Sequence, residues 1–256
     1  MMLFDTHIHT QISVDSDMKA EEAIAAANRQ RLGLCFTEHV DFEADFDECC
    51  IADLSKYFSD YESLRSPELL LGIEIGLTIN TRGVARKFVD DDRIDFLIGS
   101  VHVAWGYDLA RKGFFDQELP THEIYRMYLL YVALVLETCE YFDSLGHIDY
   151  PSRYSPFSDT NIEYKDFSKE YDAIFDRLLD QKKVIEINTK RFNDPVAKRS
   201  LYAIYEAYYK RGGRYITLGS DAHQPYRVGD NISAALTMAR SIGLKPVHFM
   251  ERRMCV

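Results

Sequence analysis

Residues 3–10 read LFDTHIHT: two apolar residues, an acid, then His7 and His9 spaced i, i+2. Side chains two apart on a strand point to the same side, so a strand ending here lets both imidazoles grip one metal ion. One His-x-His is a weak signal by itself, so the rest of the chain has to be read against it. Short apolar runs that read as strands recur at Gly33–Phe36, Leu69–Ile75, Phe96–Ser100, Ser144–His147, Val184–Ile187 and Tyr215–Leu218, after a first at Leu3–Asp5. Between them lie helical patterns at Lys19–Gln30, Ile51–Leu64, Thr121–Phe142, Lys165–Gln181, Pro195–Lys210 and Ile232–Ile242, with Thr121 expected as an N-cap. Seven strand–helix units in series predict a parallel sheet within one domain spanning residues 1–256, closed as a TIM-like barrel or open and doubly wound.

The histidines follow the strands. His39 ends FTEH, His102 ends GSVH, His147 lies in LGHIDY and His223 ends GSDAH, so with His7 and His9 six of the eight histidines stand at predicted strand C-termini. That is the face on which barrel active sites are built. Only His122 and His248 fall elsewhere. Acids occupy matching places: Asp15, Glu74 in LLLGIEIG, and Asp221 in GSDAH. A carboxylate ending an apolar strand is costly when buried alone and stable beside a cation. Glu74 could instead be an ion-pair partner and Asp221–His223 a turn, but so many ligand-type residues at six strand ends point to a metal centre.

The order DTHIHT, TEH, GIEIG, SVH, GHID and GSDAH, from Phe4 to His223, resembles the PHP (polymerase and histidinol phosphatase) superfamily, and the length resembles its stand-alone histidinol-phosphate phosphatases. The resemblance implies a distorted (β/α)7 barrel holding two or three divalent ions (Zn, Fe or Mn). It implies His7, His9, Glu74 and Asp221 around one ion, His102 and His147 around a second that shares Glu74, and Asp15, His39 and His223 around a third. Asp17 competes with Asp15, and Glu38 reads as a residue behind the ligands. The implied reaction is hydrolysis of a phosphomonoester, L-histidinol phosphate, by a metal-bridging hydroxide attacking phosphorus directly. No nucleophilic Ser or Cys motif argues otherwise, and Asp221 or the third-ion residues are candidates for handling protons.

Phosphate calls for forked donors. Arg153, in the loop after His147, and Arg191, just past the sixth strand, are expected to face it; Lys190 is the weaker choice beside Arg191, and Arg227 a further one. Residues 38–48, EHVDFEADFDE, hold six acids, and Asp41 and Asp45 are expected near the substrate's ammonium or imidazole unless the loop is simply solvated. Trp105 reads as a pocket wall or loop packing. One face of the Thr121–Phe142 helix is a possible oligomer contact.

The formal charge is −11. It disfavours a long nucleic acid or an anionic membrane surface, whereas clustered cations dominate their own neighbourhood and leave a small phosphate ester acceptable. The longest apolar run, Tyr128–Leu136, is far short of the ~20 residues of a membrane span. The opening MMLFDTHIH lacks a secretory pattern, and five unpaired-looking cysteines read as thiols of a cytoplasmic protein. Two rivals remain. One is a PHP-type phosphoesterase acting on nucleotides or nucleic-acid ends. The other is an amidohydrolase-type hydrolase, in which a lysine should bridge metals where this chain has Glu74. A degenerate, non-enzymatic module would lack ligands, and none is missing.

Overall fold

The computed structural model describes residues 2–42, 53–80 and 85–256. The seven expected strands all form: β1 (Leu3–Ile8), β2 (Leu32–Val40), β3 (Leu69–Gly76), β4 (Phe96–Ser100), then a small hairpin of β5 (Val103–Ala104) and β6 (Tyr107–Asp108), followed by β7 (Ser144–Leu145), β8 (Val184–Asn188) and β9 (Tyr215–Gly219). An eighth sheet strand of two residues, β10 (Lys245–Pro246), is added. The order is β1-β2-β3-β4-β7-β8-β9-β10, parallel throughout.

This sheet curls into a nearly closed barrel rather than an open sheet. At the C-terminal end β1 meets the chain leaving β9, through the parallel bridge Ile8–Ala222 and Thr6 Oγ1 donating to Leu218 O at 3.0 Å. At the other end β10 takes the place beside β9, pairing Lys245 with Tyr215. The seam between β1 and β10 is the distortion.

The helices α1 (Ala20–Gln30), α2 (Leu54–Tyr61), α3 (Arg86–Val89), α4 (Lys112–Phe115), α5 (Thr121–Val135), α6 (Ser168–Asp180), α7 (Pro195–Lys210) and α8 (Ile232–Ile242) connect the strands. Asp194 caps α7 through Val196 N, with Pro195 as its first residue. Two expectations fail locally. Thr121 begins α5 instead of capping it, and the helix stops at Val135, seven residues early. Turn hydrogen bonds from Glu137, Thr138 and Cys139 to Leu134 and Val135 end it, so that the chain can extend into β7. No helix among the described residues is long and apolar enough to cross a membrane. Cys35, Cys139 and Cys255 are free thiols; Cys49 and Cys50 lie outside the described residues.

Strand alternation divides the core. Along β3, Leu71, Ile73 and Ile75 belong to the layer shared with the helices, while Leu70 joins Phe4, Cys35, Phe96, Ile98 and Val184 at the barrel floor. A register shift in β1 between Asp5 and Ile8 lets Phe4 face that floor and His7 face the mouth. The terminal hairpin, β11 (His248–Met250) and β12 (Arg253–Cys255), closes the floor from below. Phe249 stacks on Phe96 at 5.3 Å, His248 on Phe4 at 4.1 Å, and Arg252 Nε donates to Asp143 Oδ2 at 2.6 Å. With the floor filled by apolar side chains, the open end of the barrel is the C-terminal face.

Candidate metal centre and active site

Glu74 lies at the middle of that face, fully buried, as the continuation of the inward row Leu70–Gly72–Glu74. Five imidazoles surround its carboxylate. Around Oε2 stand His39 Nδ1 at 3.0 Å, His7 Nε2 at 3.3 Å and His9 Nε2 at 3.4 Å; around Oε1 stand His147 Nε2 at 2.8 Å and His102 Nε2 at 3.3 Å. Ser100 Oγ donates to Oε1 at 2.6 Å and sets the carboxylate's rotamer.

Asp221 enters from the turn after β9. Its backbone is left-handed, φ +54°, a conformation aspartate tolerates better than most residues. The turn is held by Asp221 N donating to His7 O at 2.9 Å and by Lys190 Nζ donating to Asp221 O at 2.7 Å. It brings Oδ1 to 3.6 Å from His9 Nε2 and 3.9 Å from His7 Nε2. Asp15 closes the outer edge, with Oδ2 3.0 Å from His223 Nε2 and 3.5 Å from His39 Nε2. Asp17 is exposed and outside this cluster.

These side chains fit divalent cations. His7 Nε2, His9 Nε2, His39 Nδ1 and Glu74 Oε2 are buried and make no hydrogen bond among the described residues, although they face one another. Buried polar atoms are rarely left so unless another ligand satisfies them. The sets His7–Glu74–His147, His7–His9–Asp221, His9–His39–His223 and His39–Asp41–His102 each bring three ligand atoms within 4.8 Å of one another.

Protonation is consistent with that. Burial works against charge on His7, yet Glu186, Glu74 and Asp221 hold its pKa well above the ordinary range. Despite its own burial, His102 is likewise raised, to about 10, by Asp41 and Glu74. Burial pushes Glu74 up, but His7, His102 and His39 outweigh it and hold the carboxyl well below its usual value. His9 is lowered by burial and by its neighbours His39 and His223. Cations bound here would compete with protons for the nitrogens of His7 and His102.

Above the cluster opens a cavity of about 250 Å³, walled by Tyr150, Tyr154, Arg153 and Lys190. Arg153 Nη1 donates to Asp221 Oδ2 at 2.5 Å and the guanidinium lies over Tyr150. Arg191, expected as a direct phosphate donor, does not line the cavity: Nη1 bonds Asp149 Oδ2 at 2.9 Å and Nη2 bonds Asn161 and Thr160. Its neighbour Lys190, ranked below it from sequence, is the one that lines the cavity. Arg191 thus braces the loop that carries Arg153. Arg227 pairs with Asp230 and does not line the cavity.

Asp41 is buried with Oδ1 2.9 Å from His102 Nδ1, so it faces a cluster histidine rather than the open cavity expected for a contact to the substrate's ammonium. Asp45 lies outside the described residues. Glu38 accepts from Thr10 and Ser13, both backbone and hydroxyl, and shapes the loop after β1 from behind the ligands. Trp105 packs on α5, its Nε1 donating to Met127 O at 2.9 Å and its ring against Tyr131. Glu186 was missed from sequence: its Oε1 lies 2.7 Å from His7 Nδ1 and its Oε2 accepts from His147 N at 2.9 Å. The signal was the one that marked Glu74, an acid inside an apolar strand, here VIEIN.

The sequence profile of the PHP domain family matches residues 5–190. The chain belongs to the PHP domain family. Within it, this chain is 40% identical over 253 residues to a protein of Clostridium acetobutylicum named "Probable histidinol-phosphatase", covering 99% of each. It is 30% identical to the histidinol-phosphatase of Lactococcus lactis, covering 95% of this chain and 92% of that one. The crystal structure of histidinol phosphate phosphatase from Lactococcus lactis, complexed with zinc, L-histidinol and phosphate, superposes with a TM-score of 0.92 at 28% identity, covering 99% of both chains.

Proposed function

We infer that this PHP-family chain is a metal-dependent phosphoric monoester hydrolase that converts L-histidinol phosphate to L-histidinol and phosphate. The observation that carries the reading is the convergence of five imidazoles on Glu74 beneath a small cavity with two cationic side chains in its wall. Its specific substrate follows from full-length likeness to histidinol phosphatases. We assign His7, His9, Glu74 and Asp221 to one ion, Glu74, His102 and His147 to a second, and Asp15, His39 and His223 to a third. Zinc, present in the Lactococcus lactis complex, is the proposed occupant.

Divalent ions in such a cluster supply Lewis acidity toward phosphoryl oxygens and water of lowered pKa. The chain's own groups do the rest. Arg153 presents a part-buried guanidinium to the phosphate, and its bond to Asp221 fixes it before substrate arrives. Lys190 adds a second positive charge on the same side, tethered by Asp221 O. Tyr150, packed against His102 and His147 with ring centroids 4.9 and 4.7 Å away, excludes water from that flank. Among the described residues no serine, threonine or cysteine lines the cavity, in keeping with displacement at phosphorus without a phospho-enzyme.

The test is a panel of phosphomonoesters, including histidinol phosphate, nucleoside monophosphates and a phosphorylated DNA end, assayed with zinc-loaded protein. The highest kcat/KM is expected for histidinol phosphate. A nucleotide preferred over it would contradict the substrate assignment and leave the phosphoesterase class standing.

A further inference from the structure

Behind the histidine cluster, two carboxylates share one arrangement. Asp41 Oδ1 lies 2.9 Å from His102 Nδ1, and Glu186 Oε1 lies 2.7 Å from His7 Nδ1. In both rings the opposite nitrogen, Nε2, is 3.3 Å from Glu74. Each carboxylate also rests where only glycine leaves room. A Cβ on Gly76, at the end of β3, would stand 2.1 Å from Asp41 Oδ1; a Cβ on Gly219, at the end of β9, would stand 2.1 Å from Glu186 Oε1. Neither glycine has a positive φ, so space and not backbone conformation excludes a side chain there.

We propose that Gly76 and Gly219 are notches that seat Asp41 and Glu186 as positioning residues, holding His102 and His7 as Nδ1–H tautomers so that each presents a free Nε2 lone pair toward Glu74. This rests on the reading of the cluster as a divalent-cation centre. A carboxylate only accepts, and the nearer one stands on the Nδ1 side of each ring, at 2.7 and 2.9 Å against 3.3 Å to Glu74, so the imidazole proton is drawn to Nδ1 and Nε2 is left as a ligand. Carboxylates in this place behind metal-bound histidines are worth about 10–100-fold in metal affinity.

The two seats differ in a way that makes the idea testable. Glu186 must accept on both oxygens: from His7 on Oε1, and from His147 N at 2.9 Å and Asn188 Nδ2 at 3.1 Å on Oε2. A glutamine there puts an NH₂ against a donor whichever way it turns. Either His7 flips its tautomer and loses its ligand lone pair, or the backbone under His147 is pushed away. Among the described residues, the polar partner recorded for Asp41 Oδ2 is His39 Nδ1, at 3.7 Å. An asparagine can therefore keep its carbonyl oxygen on His102. Gly76→Ala is sharper still, because the three atoms nearest to the new methyl all belong to Asp41.

The experiment measures zinc affinity by competition with a chromogenic chelator, for the wild type, Gly76→Ala, Glu186→Gln and Asp41→Asn, with thermal melts of the metal-free proteins. Gly76→Ala and Glu186→Gln are expected to bind zinc about 10–100-fold more weakly while their metal-free melts stay close to wild type. Asp41→Asn is expected to lie nearer the wild type than either. Unchanged affinity in both Gly76→Ala and Glu186→Gln overturns the proposal. Should these variants fail to fold, long-range ¹⁵N–¹H spectra of the zinc-loaded wild type read the tautomers directly. Nδ1–H on His7 and His102 supports the notches, and Nε2–H on either overturns them. A wild type that takes up no zinc refutes the metal centre itself, a result distinct from normal uptake with unaffected variants.

Discussion

Glu74→Gln lowers kcat/KM for histidinol phosphate by at least ~10³-fold, about 4 kcal/mol of transition-state stabilisation. The size follows from position. One carboxylate faces five imidazoles within 3.4 Å, and the ion groups proposed around His7 and His147 share it. A neutral amide of the same shape removes the negative charge that cations require there. It also places an NH₂ where His39, His7 and His9 now direct ring nitrogens at Oε2. With the side chain 1% exposed, bulk solvent does not make up for the lost charge. Kinetics together with the zinc content of the purified variant check this: metal content and activity should fall together. Near-normal kcat/KM would show that Glu74 is an ion-pair residue of the strand end and no more.

The second large effect belongs to Arg153→Ala, expected to reduce kcat/KM by about 10²–10³-fold, the range for removing one preorganised donor to developing charge. Arg153 is held by Asp221 and by stacking on Tyr150, so its fork is oriented before substrate binds. Arg153→Lys should recover only part of the loss, because an ammonium keeps the charge without the paired donors. Inhibition by inorganic phosphate should weaken in parallel with the kinetic defect. Phosphate inhibition unchanged in Arg153→Ala would remove Arg153 from the phosphate site.

What sequence revealed and what it concealed have physical reasons. The main strands were readable because each is a buried apolar run, and the ligands because imidazoles at strand ends are unusual in number and place. β10 was invisible: Lys245–Pro246 carries no apolar signal and exists only because the β1–β9 seam opens at the floor. Barrel and open sheet produce the same alternation along a strand, so closure became evident only from the bridge Ile8–Ala222. Forked chemistry alone favours Arg191 over Lys190. Adjacent residues leaving a strand point to opposite sides, and the direction of the chain after Asn188 gives the cavity to Lys190. Asp41 was read from the charge of its loop, whereas its partner His102 is far away in sequence and near only in the fold. Glu186 lay in plain view between Ile185 and Ile187, but no histidine follows β8 to call attention to it.

The most direct test of the metal-centred account is hydrolysis of histidinol phosphate by one protein preparation before chelation, after chelation with metal content verified by elemental analysis, and after zinc is returned. Activity should disappear with the metal and come back with zinc. Full activity in verified metal-free protein would contradict the account.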